Sequence, residues 1–183
     1  MYGITLFVLD VQRDFTDLEA RFPVAKNQVK PMIENTNKII SNMNHEKMHI
    51  IYIGNEFERN QFISNWFRNH ASLKGSPGAQ LNVQLRIVNN NYFAKNQGDA
   101  FSNSSLVDYI QDNNIKNIFI AGLFAEGCVT ATAKGAKKRG LSVFVLEDAV
   151  AGANDRKRDM ALRNLSLMGV TLIQTEDLLI RNA

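Results

Sequence analysis

Residues 4–9 read ITLFVL, a nearly continuous apolar run that ends in the acidic residue Asp10. An apolar run of this length without polar alternation is typical of a strand buried on both faces, as in a parallel sheet. Five later runs have a similar character: residues 49–53, 85–88, 117–123, 141–146 and 170–174. We therefore predict a mostly parallel sheet of six strands, with residues 4–9 as its first strand.

Stretches with helical spacing separate these runs. The predicted helices are residues 29–43, 104–113, 129–139 and 155–168. Gly140 and Gly169 follow the last two and act as helix stop signals. The alternation of strands and helices predicts a doubly wound α/β fold with right-handed crossovers and helices on both faces of the sheet. We expect the strand order 3-2-1-4-5-6 and one domain over residues 1–183.

Composition excludes several classes of protein. The net charge is only +3, and the one dense basic cluster is Lys134, Lys137, Lys138 and Arg139. Because this cluster falls where a helix should end, it complements the helix dipole, and we expect no nucleic-acid partner. The single cysteine permits neither an intramolecular disulfide nor a cysteine-based zinc site, and it fits a reducing compartment.

The N-terminal apolar run is too short for a signal peptide or a membrane span. It also lacks a basic leader and ends in charged residues. We therefore expect a cytoplasmic protein without a membrane partner.

The segment 56–84 is the least regular part of the chain. It contains Trp66, His70 and the turn Gly-Ser-Pro-Gly at residues 75–78. A long irregular segment between two strands often forms a lid or a binding loop.

A carboxylate and a thiol should lie on opposite lips of one crevice. In open parallel sheets, sites form beyond the carboxyl ends of the strands, where the strand order reverses. In the order 3-2-1-4-5-6, strands 1 and 4 flank that point. Strand 1 ends in Asp10, and Cys128 follows strand 4 just before a helix.

Cys128, Asp10 and Lys95 each have two interpretations. A helix N-terminus stabilises a thiolate, so the pKa of Cys128 should fall below that of a free thiol, and the same N–H groups can hold an oxyanion. Composition alone favours a small buried cysteine instead. Asp10 is a general base or a turn cap. Lys95 is a site cation or an exposed lysine.

Four pieces of the chain occur in a recognisable order. Residues 6–15, LFVLDVQRDF, are an apolar strand followed by D-x-Q-x-D-F, and residues 74–81, KGSPGAQL, contain G-x-x-G-A-x-L. Residues 95–101, KNQGDAF, match K-x-x-x-x-A-F, and residues 121–129, AGLFAEGCV, are followed by Thr130 and Thr132. Together they resemble the isochorismatase-like cysteine hydrolases, which include nicotinamidases and N-carbamoylsarcosine amidohydrolases, over essentially the whole chain.

The resemblance implies a catalytic triad of Asp10, Lys95 and Cys128. It also implies that the backbone N–H groups of Phe124 and Cys128 hold the oxyanion. The family often has a cis peptide before the oxyanion residue, which here is the Leu123–Phe124 bond. The implied reaction is nucleophilic attack by Cys128, with Asp10 as base and acid and Lys95 as electrostatic support.

Nicotinamidases carry a metal site built from Asp-x-His after strand 2 and further histidines. The matching residues here are Asn55, Glu56 and Phe57. Phe57 cannot bind a metal, Asn55 is a poor substitute for aspartate, and His70 has no partner histidine. We therefore expect no metal and no other cofactor, and we interpret His70 as a loop residue or a substrate contact.

Phe15, Trp66 and Phe101 are candidates for an apolar slot that binds substrate, and Val129 follows the nucleophile closely enough to touch it. Ordinary core or lid packing is the alternative for the three aromatic residues. We expect a metal-independent hydrolase of a C–N bond in a small amide, ureido or carbamoyl substrate, assembled as a homodimer or larger homo-oligomer. An isochorismatase-type vinyl-ether hydrolase and a catalytically idle binding or assembly module remain as alternatives.

Overall fold

A computed structural model describes residues 4–42 and 48–180. Within these ranges, six strands form one sheet in the order β3-β2-β1-β4-β5-β6. The strands are β1 (Ile4–Leu9), β2 (Met48–Asn55), β3 (Tyr92–Lys95), β4 (Asn117–Leu123), β5 (Ser142–Ala151) and β6 (Thr171–Ile173). All five pairings between neighbouring strands are parallel. The predicted fold class and strand order are confirmed.

Seven α-helices are present in the described residues. They are α1 (Arg13–Thr16), α2 (Lys26–Asn42), α3 (Phe62–Phe67), α4 (Ser104–Asp112), α5 (Thr130–Lys138), α6 (Asp155–Leu167) and α7 (Thr175–Ile180). The four predicted helices correspond to α2, α4, α5 and α6, and Gly140 and Gly169 follow α5 and α6 with φ of 77° and 74°. Met43, the predicted end of α2, lies outside the described residues.

Burial on both faces explains why the strands are continuously apolar. Leu6 and Val8 of β1 point to one core cluster, together with residues of α2 and α7. Phe7 and Leu9 point to a second cluster, together with residues of α4, α5 and α6. Since successive side chains of a strand alternate between faces, the helices cover both sides of β1.

The predicted third strand at residues 85–88 is wrong. The backbone of this stretch bonds to side chains rather than to a neighbouring strand: the Tyr52 hydroxyl donates to the Arg86 carbonyl and accepts from the Val88 N–H. Its apolar pattern reflects core packing, since Leu85 is buried. The third strand instead begins at Tyr92, so Lys95 is its last residue rather than a loop residue beyond it.

The segment between β2 and β3 carries an exposed apolar helix. Phe62, Ile63, Trp66 and Phe67 of α3 are each at least 70% exposed. A 3-10 turn at Pro77–Ala79 follows in the same segment. In the part of the chain that the structure describes, no helix combines the length and apolarity needed to cross a bilayer.

Gly122 of β4 allows the two central strands to approach closely at the carboxyl edge of the sheet. Its φ is 114°, and a Cβ at this position would lie 2.0 Å from the Leu9 carbonyl oxygen. Gly122→Ala should lower the free energy of unfolding by about 3 kcal/mol, because left-handed strain adds to overpacking. Urea denaturation measures this loss, and Gly140→Ala is the control. Gly140 has a φ of 77°, but a Cβ added there would meet nothing within 4 Å. Equal losses in the two variants would contradict the steric explanation.

Candidate active site

The sheet brings three polar side chains together at its carboxyl edge. Asp10 follows β1, Lys95 ends β3, and Cys128 lies in a π-helical turn, Ala125–Val129, between β4 and α5. β2 lies between β1 and β3, and its last residue, Asn55, is in register with Lys95. The predicted crevice between β1 and β4 therefore also receives side chains from β2 and β3.

The Lys95 ammonium is the centre of this cluster. Its Nζ lies 2.9 Å from Asp10 Oδ2, 2.6 Å from Asn55 Oδ1 and 3.3 Å from Cys128 Sγ. The side chains of Asp10 and Lys95 are both 0% exposed. An ammonium has three protons to donate, so these three contacts use its full capacity.

Asp10 is held in an unusual backbone conformation. Its φ is 55°, in the left-handed region that residues other than glycine adopt rarely, although aspartate and asparagine enter it more often than most. The Asp10 N–H donates to the Ile53 carbonyl at 2.7 Å, which ties this bend to β2. One carboxylate oxygen accepts from Lys95, while the buried Oδ1 has no partner among the described residues. Besides its contact with Lys95, the Asp10 carboxylate interacts with the Cys128 thiol, since a side-chain hydrogen bond to Asp10 is one of the causes that raise the pKa of that thiol.

The predicted depression of the Cys128 pKa is wrong. Burial and the negative charge of Asp10 raise the pKa of the Cys128 thiol to about 12, and Lys95 only partly opposes them. For Lys95, burial lowers the pKa, but attraction to Asp10 and Cys128 outweighs burial and raises it. The resting cluster is therefore a neutral thiol beside an ammonium–carboxylate pair, and the thiol must lose its proton during any attack.

The turn before Cys128 carries the predicted oxyanion residues. The Leu123–Phe124 peptide is cis, as the resemblance implies. The Phe124 carbonyl accepts from the N–H groups of Gly127 and Val129. The N–H of Phe124 is a donor in none of the turn and loop hydrogen bonds of the described residues.

Gln12 and Asn55 are structural members of the site that sequence reasoning did not assign. Gln12 Nε2 donates to the carbonyls of Asn55 and Ala79, and Gln12 Oε1 accepts from the Asn55 N–H. This clamp fixes Asn55, whose Nδ2 also lies 3.9 Å from Cys128 Sγ. The D-x-Q motif contained the signal for Gln12, whereas Asn55 was considered only as a poor metal ligand.

Phe15 lies beside the predicted oxyanion residue. Its ring packs edge-on against Phe124 at 5.7 Å between ring centroids. Phe22, which the sequence did not single out, also packs against the Phe124 ring, at 5.5 Å between ring centroids. These three rings form an apolar wall next to the turn that carries Cys128.

The other predicted substrate contacts are either exposed on α3 or buried in the core. Trp66 is on exposed α3 and packs against Phe67. Phe101 is 4% exposed, packs against Phe7, and lines a cavity with Lys116 and Leu141, which precede β4 and β5 at the opposite edge of the sheet. Val129 is fully buried in the core. The structure therefore does not bring Phe101 to the Asp10–Lys95–Cys128 cluster.

The residues do not fit the metal site that the resemblance to nicotinamidases implies. The Asn55 oxygen is engaged by Lys95 Nζ. Phe57 offers no ligand atom, and the Arg68 guanidinium lies 3.5 Å from the centroid of its ring, where it would repel a cation. His70 is exposed, with a φ of 57°. In residues 4–42 and 48–180, no group of three or more histidine, cysteine or acidic side chains is placed to hold a metal ion.

Comparisons with known proteins identify the family. The isochorismatase domain family matches residues 5–177. The chain is 23% identical over 150 residues to an uncharacterized isochorismatase family protein, YddQ, of Bacillus subtilis, covering 80% of this chain and 76% of that protein. It is 27% identical over 107 residues to a nicotinamidase of Acinetobacter baylyi, covering 57% and 50%.

Solved structures share the fold. An isochorismatase-like hydrolase from Alkaliphilus metalliredigens superposes with a TM-score of 0.89 at 18% identity and covers 98% of both chains.

Proposed function

The chain belongs to the isochorismatase family, and from this we propose a cysteine hydrolase that cleaves a C–N bond of a small amide, ureido or carbamoyl substrate. Membership of the family, with nicotinamidases among the relatives, supports a hydrolase. The observation that carries the finer proposal is the contact of Lys95 Nζ with both Cys128 Sγ, at 3.3 Å, and Asp10 Oδ2, at 2.9 Å. It supports a thiol, a base and a cation acting as one unit.

In the first half of the proposed reaction, Asp10 takes the proton of the Cys128 thiol as the sulfur attacks the substrate carbonyl carbon. The new C–S bond converts the carbonyl oxygen to an oxyanion, which the backbone N–H groups of Phe124 and Cys128 stabilise. When this intermediate collapses, the C–N bond breaks. The departing nitrogen takes the proton from Asp10 and leaves as ammonia or an amine, and a thioester remains.

In the second half, Asp10 takes a proton from a water molecule, whose oxygen attacks the thioester carbonyl. A second oxyanion forms at the same N–H groups. Its collapse breaks the C–S bond, and the released thiolate regains its proton from Asp10. The product is a carboxylic or carbamic acid, and the enzyme returns to its starting state.

Lys95 supports these steps without exchanging a proton. Burial lowers its pKa, but the charge of Asp10 and the hydrogen bonds to Asp10 and Cys128 outweigh burial and raise it, so Lys95 stays an ammonium throughout the neutral range. A fixed positive charge beside Sγ favours the thiolate as it forms, in a site where charges are weakly screened. No metal is assigned a step, since Asn55 and Phe57 do not fit one.

The proposed hydrolase is distinguished from its alternatives by the thiol. A vinyl-ether hydrolase of the isochorismatase type needs an acid but no nucleophilic sulfur, and an idle module needs neither. The single-domain organisation, the cytoplasmic location and the homo-oligomeric state stay predictions.

A panel of amides tests the proposal directly. Purified protein should release ammonia from at least one member of a set containing nicotinamide, small aliphatic amides and ureido acids. Acid quenching during turnover should then leave the intact protein heavier by the mass of the acyl group, on the peptide containing Cys128. A folded protein that releases no ammonia from any member would contradict the proposal.

A further inference from the structure

Arg68 is a cation without a partner of opposite charge. Its Nη2 donates to Asn65 Oδ1 at 3.2 Å and Gln61 Oε1 at 3.5 Å, both neutral. In the part of the chain that the structure describes, no carboxylate forms an ion pair with it. Its Nε is buried and has no hydrogen-bond partner. A buried donor on a charged group is costly to leave unpaired, so this guanidinium is suited to an anion from outside the chain.

Arg68 is connected to the Cys128 cluster through Phe57. Its guanidinium carbon lies 3.5 Å from the centroid of the Phe57 ring. Phe57 is only two residues beyond Asn55, which is roughly 7 Å of extended chain, and Asn55 contacts both Lys95 and Cys128.

Two further observations support this position. Phe57 is fixed by backbone hydrogen bonds, from its N–H to the Ser72 carbonyl and from the Lys74 N–H to its carbonyl. Burial lowers the pKa of Arg68, and a negative charge forming on the Cys128 sulfur would raise it, so the two groups lie within range of electrostatic interaction.

The acidic residues of this segment, and Asp14, which contacts it at Ser72, already have partners. Glu58 pairs with Lys74 at 3.0 Å, and Glu56 accepts from the Tyr92 hydroxyl. Asp14 accepts from the Ser72 N–H and faces Arg21 at 3.8 Å. None of them supplies the charge that Arg68 lacks.

We propose that Arg68 binds a carboxylate group of the substrate, so that the hydrolase acts on an amide, ureido or carbamoyl compound that carries a carboxylate away from the bond it cleaves. This inference rests on the proposed function and narrows its substrate class. A guanidinium matches a carboxylate because its planar fork donates two parallel hydrogen bonds. Nε is free to donate one of them, and Nη2, on the same edge of the guanidinium, donates at present only to the neutral oxygens of Asn65 and Gln61 and can donate the other.

The test compares each acid with its methyl ester. Succinamate and 3-ureidopropionate carry a carboxylate, and their methyl esters present the same scissile bond without the charge. The wild-type protein should cleave the acids with the higher kcat/KM. Arg68→Met should lower kcat/KM for the acids by roughly 10- to 100-fold, the range of a lost charged hydrogen bond, and should change the esters little. Arg59→Met, an exposed arginine of the same segment, is the matched control and should behave as wild type.

The outcomes separate this inference from the proposed function. Equal losses on acids and esters in Arg68→Met would show a merely structural role and overturn the inference while leaving the hydrolase intact. If the wild-type protein cleaves neither acids nor other amides, the proposed function fails, and calorimetric binding of succinamate decides the inference. Binding that Arg68→Met abolishes supports the carboxylate site, and equal or absent binding in both proteins overturns it.

Discussion

Replacing Cys128 with alanine should lower kcat/KM for any cleaved amide at least about 1,000-fold, since loss of a nucleophile removes the covalent route entirely. The fold should survive the change. Cys128 is only partly buried. Its sulfur contacts the side chains of Lys95 and Asn55, and these contacts do not involve the backbone of β3 or β2. Initial-rate measurements of ammonia release, with circular dichroism to confirm folding, check this result.

Cys128→Ser is the stricter comparison, because it keeps the shape and a hydrogen-bonding atom at the same position. An alcohol is much harder to deprotonate than a thiol, so this variant should also be strongly impaired. Activity within a few-fold of wild type in either variant would contradict the nucleophilic role and favour acid catalysis of the vinyl-ether type.

Replacing Lys95 with methionine should lower the free energy of unfolding by about 3–5 kcal/mol, in the range found when one partner of a buried ion pair is removed. The change leaves the Asp10 carboxylate, which is 0% exposed, without a compensating charge. It also removes the donor to Asn55 Oδ1. Urea denaturation monitored by tryptophan fluorescence measures the loss.

Two variants control for other causes of the Lys95 effect. Lys74→Met breaks an exposed ion pair with Glu58 and should change stability little, because surface pairs contribute weakly. The double variant Asp10→Asn, Lys95→Met removes both buried charges and should be more stable than Lys95→Met alone. A double variant that is less stable than Lys95→Met would contradict the explanation by an uncompensated charge.

Strand order and the placement of Asp10 and Cys128 could be predicted because they depend on local patterns. Continuous apolar runs identified five of the six strands, and the rule for the carboxyl edge of a parallel sheet placed both residues at one crevice. The run at 85–88 failed because burial of Leu85 imitates a strand, while its backbone bonds to the side chains of Tyr52 and Asn37. A hydrophobic pattern indicates which side chains are buried, but it does not indicate whether the backbone pairs with a neighbouring strand.

The electrostatics of the site could not be predicted from sequence. A helix N-terminus near Cys128 predicted a lowered pKa, but desolvation and the Asp10 charge depend on three-dimensional distances and prevail. The roles of Asn55 and Gln12 depend on contacts between residues 43 positions apart. Phe101 was a candidate for the substrate slot, with core packing as the alternative, and its ring packs against Phe7 in the core.

The pH dependence of Cys128 alkylation tests most directly whether Asp10 raises the pKa of the thiol. Wild-type protein should react with iodoacetamide more slowly than free cysteine at pH 8, because burial and Asp10 raise the pKa of Cys128 to about 12. A raised pKa keeps the thiol protonated until the pH approaches that value, so the rate should keep rising above pH 9. Asp10→Asn removes one of the causes that raise the pKa and leaves Lys95 in place, so it should react faster than wild type while losing turnover.

Mass spectrometry of the labelled protein gives both rates, and a comparison of the two proteins at one pH cancels the limited access of the reagent. Labelling of wild type that is faster than free cysteine near neutral pH, or slower labelling in Asp10→Asn, would contradict a thiol held neutral by its carboxylate neighbour.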